Sequence, residues 1–177
     1  RSKYWDGKIR LFSPATGEVY VGLVDKIVNW ARKSEYSLEF ENNKQYGAPF
    51  EQNDIISREG VKEYMTRIAR FKPRDYQIDA VYRALRYNRK LLISPTASGK
   101  SLMIYAVVRY FVETKKKVLL VVPTTSLVEQ MFKDFEDYGW NAEKYCHKIY
   151  SGKEKTNEFP VTITTWQSIY KLKRPFF

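Results

Sequence analysis

The sequence predicts an α/β fold. A small α+β region comes first, followed by a parallel sheet layered with helices and carrying a phosphate-binding loop. Three observations support this. Strand-like and helix-like patterns alternate from residue 91 onward, the arrangement that builds a parallel sheet with helical crossovers. The run Val118–Val122 is almost wholly apolar, as a strand buried on both faces is. Residues 91–101 read Leu-Leu-Ile-Ser-Pro-Thr-Ala-Ser-Gly-Lys-Ser: a short apolar run, a turn, then the start of a helix.

Residues 8–13 alternate polar and apolar side chains, which predicts a half-buried strand. Pro14 to Gly17 is a turn and residues 18–21 a second strand, so a hairpin is expected. Val24, Ile27, Val28 and Ala31 recur at helical spacing with Lys26, Asn29, Arg32 and Lys33 between them. That is an amphipathic helix covering a small sheet. Residues 36–40 alternate again, as a third strand would. Residues 41–54 are rich in Asn, Gln, Gly and Pro and read as a linker. The expected division is therefore 1–54, a small α+β domain with its linker, and 55–177, an α/β domain.

In the second region Ser57 is placed to cap a helix reaching about Arg70, with Val61, Tyr64, Met65 and Ile68 inward. Residues 76–87 form a second helix, with Ala80, Val81, Ala84 and Leu85 on one face. Residues 91–93 are a strand, 101 to about 113 a helix, 118–122 a strand and 127–138 a helix. Residues 145–150 and 161–164 are further strands.

With 44% hydrophobic residues among 177, the chain can bury a proper core. Its formal net charge is +11, and the excess is unevenly placed. Residues 1–70 carry 12 Lys/Arg against 10 Asp/Glu, and residues 71–177 carry 19 against 10. A basic region around a phosphate loop favours polyanions, nucleic acid first. The single cysteine, Cys146, excludes an internal disulfide. It and the single histidine, His147, read as ordinary strand residues and not as a metal site. No signal peptide is evident, and no apolar run approaches the roughly 18 residues of a membrane helix. The chain begins at Arg1 and not at Met, and a piece of a longer protein is expected.

The phosphate loop has a physical logic. Successive backbone N–H groups wrap an anion, and the helix macrodipole adds partial positive charge. Lys100 would reach the β- and γ-phosphates, and the Ser101 hydroxyl would hold Mg²⁺. The strict pattern wants Gly where this chain has Ser94. The plainer alternative is a Gly-Lys-Ser turn at a helix start.

Four blocks follow in order: Phe71-Lys72-Pro73-Arg74-Asp75-Tyr76-Gln77, the loop itself, Val121-Val122-Pro123-Thr124-Thr125-Ser126-Leu127, and Thr162-Ile163-Thr164-Thr165-Trp166-Gln167-Ser168. In this order they resemble the first motor domain of superfamily-two helicases and translocases, with Ala97 and Ser98 replacing the usual Gly-Ser order. The front of the chain, Tyr4-Trp5-Asp6-Gly7-Lys8-Ile9-Arg10-Leu11 and then Val21-Gly22-Leu23-Val24, resembles the small N-terminal domain of the UvsW-like DNA helicases of T-even bacteriophages.

The resemblance implies a partial RecA-like αβα sandwich behind a DNA-recognition module at 1–54. It implies an ATP-dependent DNA helicase acting on branched or forked DNA in recombination, repair and fork processing, with little sequence preference. It implies ATP and Mg²⁺ as cofactors, a monomer without membrane attachment, and a cytoplasmic location inside the bacterial host. Nucleotide would be held by Arg74, Gln77, Pro95, Thr96, Ala97, Ser98, Gly99, Lys100 and Ser101, with Gln77 at the adenine edge. Nucleic acid would be held by Pro123, Thr124, Thr125, Thr164, Thr165, Trp166 and Gln167.

The second set also has a bottom-up reason. A motor must grip a strand without reading it, and hydroxyls and N–H groups just past buried strands can bond phosphates. Strand and cap chemistry is the alternative for the Thr-Thr pairs. Trp166 is open to two roles, base stacking or core, and Trp5 reads more simply as a packing residue. Hydrolysis needs a carboxylate element for Mg²⁺ and water, which the family supplies as Asp-Glu-x-His. The sequence contains no such box, so no catalytic residue is assigned. Asp134, Glu136 and Asp137 fall on a helix and read as solvated surface. The competing functions are the motor of a restriction or repair translocase, and a DNA-binding module without enzymatic activity.

Overall fold

Local chemistry shapes the front unit, Arg1–Gln52, in the computed structural model. The structure describes residues 8–40, 52–87, 89–150 and 158–170. The turn after Ser13 closes with Gly17 N–H donating to Ser13 O at 2.8 Å and Ser13 N–H to Glu18 O at 2.9 Å. Gly17 takes φ 71° there, a conformation that costs glycine little. The expected hairpin shrinks to a single antiparallel bridge, Phe12↔Val19, and Val21–Leu23 becomes a short 3₁₀ turn. Helix α1, Val24–Lys33, has Asp25 in its first turn and Arg32 and Lys33 in its last, matching the helix dipole. The expected strand at 36–40 is not assigned as one; Tyr36 N–H instead donates to Ala31 O at 2.9 Å, closing the end of α1. Tyr36 also stacks on Trp30 at 5.4 Å. The motif residues Tyr4 to Gly7 and linker residues 41–51 lie outside the described residues.

In the second unit, Asn53–Phe177, the short-range signals operate as expected. Ser57 caps α2, Arg58–Ile68, by accepting from Gly60 N–H. Val61, Met65 and Ile68 are buried, and Tyr64 is half-buried with its hydroxyl donating to Ala106 O. Helix α3 spans Asp75–Arg86 and α4 spans Lys100–Glu113. Tyr105 of α4 is fully buried and donates to Ile68 O at 3.1 Å, which ties α4 to the end of α2.

Three parallel strands form the sheet in the order β1-β3-β2. They are β1, Val118–Val122; β2, Cys146–Ile149; and β3, Val161–Thr165. Helix α5, Thr125–Asp137, and the short α6, Ala142–Tyr145, connect β1 to β2, and the short α7, Trp166–Ile169, follows β3. β3 is the central strand and is buried throughout. β1 departs from the expectation of burial on both faces: Leu119 and Val121 are 43% and 44% exposed. β1 pairs on one side only among the described residues.

Residues 91–93 also depart from expectation. Leu91 and Ile93 are 86% and 91% exposed, and the segment has no strand assignment. A strand exists only by pairing, and no neighbour pairs with it among the described residues. No helix of the described residues is long and apolar enough to cross a membrane.

Cys146 is buried, and burial pushes its thiol up to about 12. Only the thiolate attacks a disulfide reagent, and at pH 8 such a thiol is ionised to roughly one part in ten thousand. Native protein should therefore react with an aromatic disulfide reagent at least about a hundredfold more slowly than protein in urea. Equal rates would mean that the thiol is exposed.

Candidate nucleotide and nucleic-acid sites

The loop before α4 is held from two sides. Gly99, the residue before the helix, takes φ 75°. The backbone angle favours glycine, and a Cβ built there would lie 2.4 Å from Gln77 Nε2, so a side chain at 99 would push the glutamine amide aside. Gln77 is buried and its amide is used twice. Nε2 donates to Ser98 O at 3.0 Å, and Oε1 accepts from Arg74 N–H at 2.9 Å. Tyr76, to which the sequence motifs assign no role, also donates to Ser98 O at 3.0 Å. Ser98 is buried, donates to Pro95 O at 2.8 Å and shares a short hydrogen bond with Ser94 Oγ. The serine that stands where the strict pattern has glycine is thus a strut of the loop. Ala97 takes φ 61°, a left-handed conformation that costs a non-glycine residue about 1 kcal/mol. Pro95, Thr96 and Ala97 are exposed at its tip.

Lys100 folds its amine onto the loop, donating to Pro95 O at 2.6 Å and Ser94 O at 3.4 Å. Both acceptors are neutral carbonyls, which an anionic phosphate would displace, since charge-assisted bonds are stronger. Ser101 shares a hydrogen bond with Tyr138 at 2.8 Å. Burial, the largest cause, pushes the Tyr138 phenol up, while the Ser101 bond pulls it down. Beside the loop lies a cleft of about 730 Å³ between α3 and α4, lined by Tyr76, Arg83, Lys100 and Met103 among others. That volume suits a nucleotide-sized ligand. Arg74 is exposed, its guanidinium 3.5 Å from the Tyr76 hydroxyl. The parts fit a nucleotide phosphate: a glycine in a left-handed conformation, a cation resting on weak acceptors, and a helix N-terminus behind them. Among the described residues no cluster of His, Cys, Asp and Glu could hold a metal ion unaided. A cation here would enter with the nucleotide.

The second set of residues divides. Val122 pairs with Thr165 in register, so the ends of β1 and β3 lie side by side. Past β1, Pro123, Thr124 and Thr125 are exposed. Thr124 caps α5, its hydroxyl accepting from Leu127 N–H at 3.3 Å and lying 2.9 Å from Ser126 Oγ. Past β3, Trp166 is 65% exposed and Gln167 is exposed too. Trp166 is therefore a surface residue and not core. Thr164 departs from the expected role at the nucleic acid. It is fully buried and donates to Ile149 O at 2.6 Å, so its hydroxyl serves the sheet. Thr165 is buried as well, with its hydroxyl 2.9 Å from Ser168 Oγ. As neighbours on the central strand they point to opposite faces of the sheet, and both faces of that strand are covered. A further polar trio centres on Glu129, which with Gln130 follows the third sequence block. Lys148 reaches Glu129 at 2.7 Å, and the Tyr150 hydroxyl bonds the same carboxylate, which raises the Tyr150 pKa. Lys148 and Tyr150 lie 19 and 21 residues further on, where no short motif marks them.

A parallel sheet with helical crossovers, and a Gly-Lys-Ser helix start beside a cleft, define part of a RecA-like αβα domain. Residues 70–175 match the family described as type III restriction enzyme, res subunit, and the chain belongs to that family. It is 32% identical over 184 residues to the ATP-dependent DNA helicase uvsW of Enterobacteria phage T4, covering 98% of this chain and 35% of that protein. A crystal structure of the UvsW helicase from bacteriophage T4 superposes with a TM-score of 0.83 at 32% identity, covering 98% of this chain and 63% of that one. A second T4 UvsW crystal structure gives 0.81 at 32% identity, covering 96% and 35%. The chain thus spans about a third of the length of the curated relative it matches.

Proposed function

We propose that this chain supplies the nucleotide-binding part and the leading nucleic-acid grip of an ATP-dependent DNA helicase. The helicase acts on branched or forked DNA in recombination, repair and replication-fork processing. The single observation that carries the reading is the loop. Loop residues Ser94 to Ser98 and Lys100, a lysine on displaceable carbonyls at a helix start, border one nucleotide-sized cleft, and a left-handed glycine joins them. ATP–Mg²⁺ sits beside the loop, with Gly99 and Lys100 at the phosphates, Ser101 at the cation and Arg74 toward the base; Gln77 would read the adenine only by giving up its bonds to Ser98 O and Arg74 N–H. DNA lies across Pro123, Thr124, Thr125, Trp166 and Gln167, held through its phosphates and by stacking on Trp166. Residues 1–54 recognise the fork, residues 55–177 belong to the motor, and the protein acts as a monomer inside the infected bacterial cell. Similarity to the phage helicase over 98% of the chain supports this reading. The family description favours a restriction-type translocase as the second reading. Neither reading gives this chain robust turnover, because the sequence holds no Asp-Glu-x-His box.

The test titrates the full chain with a labelled fork and a labelled linear duplex, by anisotropy, across salt. With about four phosphates contacted, affinity should fall roughly a hundredfold from 50 to 200 mM salt. The fork should bind more tightly. Salt-independent binding would remove the phosphate grip, and equal binding of fork and duplex would remove fork recognition.

A further inference from the structure

Ser101 is the residue through which a nucleotide-bound cation would be held, and its hydroxyl bonds that of Tyr138 at 2.8 Å. A hydroxyl that ligates a cation must turn its lone pairs to the metal and send its proton elsewhere. An acceptor on the far side fixes that orientation, as partners behind metal ligands generally do. Tyr138 is placed where its oxygen can be such an acceptor. It follows α5 directly, and its backbone N–H donates to Asp134 O at 2.9 Å. Its ring is wedged between Phe71, edge-on at 6.2 Å, and the buried Tyr105, tilted at 5.2 Å. The phenol is half-buried, and its oxygen carries lone pairs that a neighbouring hydroxyl can use. Tyr138 lies 37 residues from Ser101 and outside all four sequence blocks.

We infer that Tyr138 is a positioning residue for the nucleotide site, holding the Ser101 hydroxyl in the orientation that receives the cation of a bound nucleotide. The inference rests on the proposed binding of nucleotide at this loop.

The test uses ADP as probe, with the full chain, in calorimetric titrations with MgCl₂ and with a chelator. In the wild type Mg²⁺ should tighten ADP binding. Tyr138→Phe keeps the ring between Phe71 and Tyr105 and removes the hydroxyl. It should cut the Mg²⁺ effect about tenfold and leave Mg²⁺-free ADP affinity unchanged. Ser101→Ala should abolish the Mg²⁺ effect, and the double variant should lose no more than Ser101→Ala alone. A purely structural tyrosine would weaken both titrations equally. Thermal melts of each variant separate that outcome from unfolding. A Tyr138→Phe protein with the full Mg²⁺ effect, or losses that add in the double variant, would overturn the inference and leave the nucleotide reading intact. A folded wild type that binds no ADP in either buffer would overturn both.

Discussion

Lys100→Ala should remove nucleotide binding while leaving the fold in place. The Lys100 amine is exposed and bonds only loop carbonyls, Pro95 O and Ser94 O, so nothing in the core depends on it. Its loss leaves two neutral acceptors beside solvent, a cheap change. In the bound state the same amine would face phosphate oxygens, and a hydrogen bond to a charged group contributes about 1.5–3 kcal/mol. With more than one phosphate oxygen in reach, affinity for ATP–Mg²⁺ should drop at least about a hundredfold. Calorimetry reads the loss, and circular dichroism verifies the fold. A variant that binds as well as the parent would show that the loop is only a helix start.

Phe135→Ala should give the largest loss of stability. Phe135 is fully buried, with Tyr105 at 5.6 Å and Trp140 at 5.9 Å from its ring. It is where α5 locks onto α4 and the segment after it. Truncating a buried phenylalanine costs about 3–5 kcal/mol, because the cavity closes only partly. Rigid aromatic neighbours on two sides make collapse harder still. Urea unfolding followed by tryptophan fluorescence should show the midpoint falling by more than about 1 M, with Trp140 reporting directly. A shift no larger than that of an exposed control such as Glu143→Ala would mean that this cluster does not hold the unit together.

How much of the structure is legible in the sequence follows from the range of each interaction. Ser57 and its partner Gly60 N–H lie three residues apart, and a helix start of that kind is written locally. The apolar spacing that places Val61, Met65 and Ile68 inward is local too. Pairing is different. Nothing in residues 36–40 or 91–93 says whether a neighbouring strand will pair with them, and neither segment is assigned to a strand. The composition of β1 predicts burial, yet its exposure is decided by what lies beside it in space. The site shows the same divide. Gly99 and Lys100 stand out because a loop motif is contiguous. Tyr76 and Tyr138 reach the loop across 22 and 37 residues, and only the fold brings them there. Thr164 misleads for a local reason of another kind. A pair of threonines at a strand end reads as one ligand edge, but alternation sends the first hydroxyl back to Ile149 O.

The 2.4 Å that would separate a Cβ at Gly99 from the Gln77 amide makes the two positions one mutational unit. Any residue with a Cβ at 99 displaces the Gln77 amide while the glutamine is present, and also meets the cost of a left-handed angle, about 1 kcal/mol. With a shorter residue at 77 the collision vanishes and only the angular cost is left, a cost that Ala97 already bears two residues away. Substitution at 99 should therefore cost less once residue 77 is shortened than it does while the glutamine is in place. The glutamine weighs on what residue 99 can become, through an amide that has to give up its bond to Ser98 O when a side chain arrives.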